Sequence, residues 1–211
     1  TENPVRANQL RKSVSADGSI TSYQYESGNY DGMEAVQGDF VSDAEGSHVR
    51  TTVITGTTES MPNGEIGFSS KTETIKTEEG KVLLRASYLK IAAGPIQSED
   101  NWEQISWTAH AYDEAGRKTL TRDQFGIVGE FRYSECCGKL EWSRDRLGRE
   151  TVNDYNEEGK LVHTLIRHAD GRVEETSLQY DELGRLVARA IANGDGETRE
   201  SRYEHDVHGL S

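Results

Sequence analysis

Tyr112-Asp113-Glu114-Ala115-Gly116-Arg117-Lys118 returns as Tyr155-Asn156-Glu157-Glu158-Gly159-Lys160-Leu161 and again as Tyr180-Asp181-Glu182-Leu183-Gly184-Arg185-Leu186. The same phrase returns at Arg144-Asp145-Arg146-Leu147-Gly148-Arg149-Glu150, and weaker copies stand at Asp123-Gln124-Phe125-Gly126-Ile127, His168-Ala169-Asp170-Gly171-Arg172-Val173 and Tyr203-Glu204-His205-Asp206-Val207-His208-Gly209-Leu210. The glycines at 116, 126, 138, 148, 159, 171, 184, 196 and 209 are 10 to 13 residues apart, the length of one strand plus one turn. Tyr closes an incoming strand as a half-buried ring, and Asp or Asn bonds its own backbone two residues on. Gly takes the positive φ of a tight turn, and Arg or Lys opens the next strand. The unit is a hairpin. Its repetition predicts an all-β fold of stacked antiparallel β-hairpins forming an elongated ribbon or partial spiral sheet.

Period-2 alternation supports strands between these turns, as in Ile127, Gly129, Phe131, Tyr133 and in Leu140, Trp142 against Glu141, Ser143. Val173 is out of step with Leu178 and Tyr180, which predicts a bulge within that strand. In Glu182 to Gly194 the apolar residues Leu183, Leu186, Val187, Ala190 and Ile191 follow helical spacing. Gly184 stands at the turn position of the sister phrases, so a strand is expected there. Before residue 101 the same grammar is looser: turn signals at Ala16-Asp17-Gly18-Ser19, Ala44-Glu45-Gly46-Ser47, Pro62-Asn63-Gly64-Glu65 and Glu78-Glu79-Gly80-Lys81 are farther apart. Longer hairpins follow, with 82 to 91 as a well-buried strand. The expected organisation is an N-terminal β region over 1–100 continuous with a hairpin array over 101–211, joined by a loop at Ala92 to Asn101.

Leu, Ile, Val and Phe supply only 40 of 211 residues, too few for one thick core but suited to units that each bury a thin strip against their neighbours. A net charge of -13 opposes nucleic acid, whose phosphates are bound through Lys and Arg. It is read as serving solubility. No apolar run reaches the roughly 18 residues of a membrane-spanning helix. The chain opens Thr1-Glu2-Asn3-Pro4, without an initiator Met or a charged-then-apolar leader, and is read as a mature product or a piece of something longer.

The phrases at 112–118, 155–161 and 180–186 resemble the YD repeat of RHS and teneurin-like proteins, and the resemblance covers residues 107–210. In that family the repeats form a β-sheet ribbon that spirals into a shell, enclosing a toxic passenger in bacteria and contributing to adhesion receptors in animals. The resemblance implies a non-enzymatic scaffold, extracellular or at a cell surface, serving as a filament or shell subunit or an adhesin-like stalk. Its repeat turn residues are Tyr112, Asp113, Gly116, Gly148, Tyr155, Gly159, Tyr180, Asp181 and Gly184. The bacterial shells close with an Asp-Pro-rich self-cleaving segment. No Asp-Pro dipeptide occurs here, so the resemblance implies part of a cocoon wall rather than a closed container.

Two cysteines, Cys136 and Cys137, are adjacent. Strand alternation would bury one thiol and expose the other; a vicinal disulfide, made awkward by Cα atoms only about 3.8 Å apart, and a cross-link to another chain are the alternatives. Trp102, Trp107 and Trp142 are candidates for stacking on sugar rings, which would make the chain a carbohydrate-binding module, or for packing. No phosphate loop, His-Glu-x-x-His, Gly-x-Ser-x-Gly or Cys-x-x-Cys is present. A glycan-processing enzyme would therefore have to rest on converging carboxylates alone. His205, Asp206 and His208, and the calcium-loop-like Asn193 to Glu197, read as turns, so neither metal nor cofactor is expected. Open sheet edges predict partners: copies of this chain or the remainder of a longer one, with Thr1 to Val14 as a cap or docking arm.

Overall fold

A computed structural model describes residues 10–32, 34–57, 67–90, 102–194 and 196–205. The sequence expectations for Thr1 to Gln9, the turn at Pro62 to Glu65, the loop at Ala92 to Asn101, Asp195, Asp206 and His208 lie outside them. The described residues hold fifteen strands and no helix, hence no helix long and apolar enough to cross a membrane. The chain divides into two compact units, Thr1–Gly126 and Ile127–Ser211.

The first unit contains β1 (Lys12–Val14), β2 (Ser19–Tyr30), β3 (Phe40–Ser42), β4 (His48–Thr57), β5 (Gly67–Thr77), β6 (Val82–Lys90), β7 (Trp102–Tyr112) and β8 (Lys118–Asp123). Its open antiparallel sheet runs β1-β2-β4-β5-β6-β7-β8, and β3 pairs with β2 beyond the end of β1. Ile75, Leu84 and Ala109 face one another across three strands and are almost fully buried. Tyr30, at the end of β2, and Ala35, from the excursion between β2 and β3, complete that cluster. The Tyr30 hydroxyl accepts from Gly38 N and donates to Val36 O, each at 3.1 Å, fastening the excursion. β6 is buried on one face only: Leu84 and Ala86 point inward, while Leu89 is 45% exposed.

The second unit contains β9 (Gly126–Tyr133) from Ile127 on, β10 (Leu140–Asp145), β11 (Glu150–Tyr155), β12 (Leu161–Arg167), β13 (Val173–Tyr180), β14 (Leu186–Asn193) and β15 (Thr198–Arg202). They lie side by side in sequence order, also in an open antiparallel sheet. Among its described residues no hydrophobic side chain is buried. Apolar groups are half-covered on both faces, so cohesion comes from the ladder and from cross-strand neighbours. The segment with helical spacing forms the turn after β13 and strand β14. Leu183 sits at the turn tip, 77% exposed, so the apparent helical stripe has no common face.

Two alternation readings are corrected by bulges. Leu140 opposes Tyr133 but Trp142 opposes Arg132, so Glu141 is the extra residue and Leu140 and Trp142 point to opposite faces. β13 carries no shift between Val173 and Leu178; the ladder slips at Gln179/Tyr180, making Val187 the extra residue on the neighbouring strand. Val173 and Leu178 are out of step because a sheet without a dry side accepts apolar residues on both.

Candidate interaction surface

The turn chemistry is local and repeated. Asp113 N donates to Arg117 O and Gly116 N to Asp113 O; Asn156, Lys160 and Gly159 repeat this, as do Asp181, Arg185 and Gly184. Gly116, Gly159 and Gly184 have φ of 77°, 76° and 77°, the pattern of a type I turn closed by a left-handed glycine. Asp113 and Asp181 each accept the amide and Nε of the following arginine. The backbone amide is the main cause holding both carboxyls below their ordinary value. Gly148 (φ 76°) closes the turn from Asp145 to Arg149 in the same way.

Beyond the turn, each tyrosine reaches back to the preceding hairpin. Tyr112 Oη donates to Val82 O, Tyr155 Oη to Leu140 O and Tyr180 Oη to Leu161 O, all at 2.9 Å. The ladders explain why those carbonyls need a donor. β6–β7 pairing begins at Leu84, β10–β11 pairing at Trp142 and β12–β13 pairing at His163. Each leaves the first residue after the preceding turn without a strand partner on that side. A bulge accompanies each tyrosine pair: Tyr112 opposes Lys118 and Ala111 opposes Leu120, with equivalent slips at Tyr155 and Tyr180.

At the last described hairpin His205 Nε2 meets Leu186 O at 2.7 Å. The repeat as read from sequence has Tyr203 at the head of that phrase; the hydrogen bond puts His205 in the tyrosine position. The signal was available, since His205-Asp206-x-x-Gly209 has the spacing of Tyr180-Asp181-x-x-Gly184. Lysines lie over the same rings, Lys139 Nζ 5.8 Å from the Tyr155 centroid and Lys160 Nζ 5.6 Å from that of Tyr180. An added Cβ on Gly184 would meet Lys160, and one on Gly116 would meet Lys81.

All three tryptophans are half-buried. Trp107 packs against the first unit's core. Arg132 lies 4.3 Å and Arg144 5.8 Å from the Trp142 ring, and Lys71 and Lys90 approach Trp102. Burial, with Glu73 beside it, pushes the Tyr88 hydroxyl up to about 12. Cys136 and Cys137 are both free and exposed; they sit in a turn rather than on a strand, so alternation does not apply. His163 bridges Asp154 (2.9 Å) and Glu175 (2.8 Å), and the Asp154 contact raises its pKa above the ordinary histidine value. Among the described residues no group of three or more His, Cys, Asp or Glu could hold a metal. Asn193 and Glu197 close a turn of the common kind, Asn193 N donating to Glu197 O.

Hairpins joined in sequence order and fastened to their predecessors by side chains define a repeat-built open β-sheet. Residues 155–198 match the RHS Repeat family. No curated protein matches it. Among solved structures it is similar to the Photorhabdus luminescens Tc holotoxin pore (17% identity, TM-score 0.42, 93% of this chain and 10% of that one). It is also similar to a TcdB2–TccC3–Cdc42 crystal structure (15% identity, TM-score 0.37, 94% and 12%). A third is a porin-like protein from Bacteroides uniformis (16% identity, TM-score 0.34, 91% and 62%). The chain thus spans about a tenth of the length of the Tc toxin chains.

Proposed function

We propose that this chain is a non-enzymatic scaffold segment, a length of RHS-repeat wall or stalk that works outside the cytoplasm by joining further strands, either its own copies or the rest of a longer chain. The observation carrying this reading is the final strand. All five residues of β15 are exposed. Tyr203 N donates to Val187 O, and antiparallel alternation then turns the amides of Glu200 and Arg202 away from β14. Such an edge is a template for another strand. No specific observation favours glycan binding, because cations already occupy the ring faces of Trp102 and Trp142.

Sedimentation velocity across a concentration series tests it. The wild-type chain is expected to associate, and Glu200→Pro with Arg202→Pro should abolish association while preserving the far-ultraviolet β signature, since neither amide serves the β14 ladder. A chain that stays monomeric at every concentration while those two amides resist hydrogen exchange would have a capped edge, overturning the proposal.

A further inference from the structure

The turn between β9 and β10 departs from its sisters in one respect: it is one residue longer. Ser134 N donates to Lys139 O and Gly138 N to Ser134 O, closing a four-residue loop where 113–117, 156–160 and 181–185 close three. The extended loop carries both of the protein's cysteines. Their sulfurs lie 3.0 Å apart, Cys136 donating to Cys137, and Ser134 Oγ is 3.1 Å from Cys137 Sγ. Ser134, only 6% exposed, is fixed by the Lys139 amide at 3.0 Å. The thiols border an open depression of about 880 Å³ that Arg132, Lys139 and Tyr155 also line, so a small molecule can reach them.

We infer that Cys136 and Cys137 form a redox-active dithiol that exchanges reversibly with low-molecular-weight disulfides, Cys137 attacking first and Cys136 resolving. Cys137 receives the Cys136 hydrogen bond and stands beside Ser134 Oγ, and those contacts favour its thiolate; the same pair contact disfavours ionisation of Cys136. The thiolate is the nucleophile in such exchange. Cys137 sulfur bonds to one sulfur of the small disulfide, the S–S bond breaks, and the first thiolate leaves and is protonated by solvent. Cys136 then loses its proton to water and attacks the Cys137 sulfur of the mixed disulfide, expelling the second thiolate. The two cysteine thiols are oxidised to one disulfide, and the small disulfide is reduced to two thiols.

Adjacent Cα atoms about 3.8 Å apart fall short of the usual disulfide span of about 4.4 to 6.8 Å, so the closed form is easily reduced. The longer loop matters here, because its residues stand outside the strand ladder and can adjust without unpairing β9 from β10. A labile bond of this kind responds to the ratio of oxidised to reduced thiol around it rather than serving as a permanent staple.

The probe is glutathione. The reduced protein is equilibrated with graded ratios of oxidised to reduced glutathione, quenched with a thiol alkylator and weighed intact. Wild type is expected to lose two hydrogens and both alkylation sites without retaining glutathione, and to reopen when reduced glutathione is restored. Cys136→Ser should stop at a stable mixed disulfide, and Cys137→Ser should react several-fold more slowly. Retention of glutathione by the wild type, equal rates for the two single variants, or no reaction at the most oxidising ratio would each overturn the inference.

Discussion

Tyr180→Phe removes one oxygen and asks whether the hairpins are fastened together by their tyrosines. The ring stays, with Lys160 above it, and only the 2.9 Å bond to Leu161 O is lost. A hydrogen bond contributes about 0.5–1.5 kcal/mol net, and an acceptor stranded away from water would cost about 1–3 kcal/mol. The contact is only part-buried, so water can replace the hydroxyl in part, and the expected loss is about 1 kcal/mol. For a chain of this size that lowers the thermal midpoint by about 2–4 °C. Urea unfolding should show an earlier midpoint with an unchanged slope. Tyr155→Phe should cost less, because Asn153 Nδ2 also donates to Leu140 O at 3.1 Å, whereas Tyr203→Phe, a tyrosine 38% exposed and outside the phrase, should be silent. If Tyr180→Phe unfolds with the wild type, or Tyr203→Phe loses as much, the fastening role is wrong.

Gly171→Ala, at φ 87° with open space around it, should cost about 1–2 kcal/mol from the left-handed conformation alone; Gly184→Ala should add about 0.5 kcal/mol by lifting Lys160 from the Tyr180 ring. The raised His163 pKa means that its contribution is fully present below the ordinary histidine value and is lost as pH rises through the folded one; histidine titration by NMR should show this, and His163→Gln should remove that pH dependence of the unfolding midpoint. Asp113 and Asp181 have the opposite sign: their lowered pKa values give stability present above the ordinary carboxylate value and lost as pH falls through the folded one, so Asp181→Asn should flatten the acid limb of an unfolding-versus-pH curve.

The fold class was legible because its information is local. Asp113, Gly116 and Arg117 specify their turn within five residues, and repetition turns a weak signal into a strong one. What stayed hidden depends on neighbours. The bulge opposite Tyr180 falls on Val187 because Tyr180 and Leu161 belong to different hairpins that meet only in the sheet. The role of His205 was obscured by the nearer Tyr203, and nothing in composition reveals that Leu186 O lacks a strand partner. Trp142 looked available for a ligand until Glu141 was placed as a bulge residue, which brings Arg132 and Arg144 against the indole. The cysteine pair was visible as a dipeptide, but its geometry was not, since the one-residue lengthening shows only when the turn is set beside its sisters.

The fastening described above has a direction. In every case the donor belongs to the later hairpin and the acceptor to the earlier one, from Tyr112 to Val82, Tyr155 to Leu140, Tyr180 to Leu161 and His205 to Leu186. During synthesis a chain leaves the ribosome in that same order. The hairpins of β11–β12 and β13–β14 therefore each bring the group that bonds the predecessor and expose an acceptor for the successor. The order of these bonds is that of synthesis, so none of them has to wait for a segment made later than its own donor.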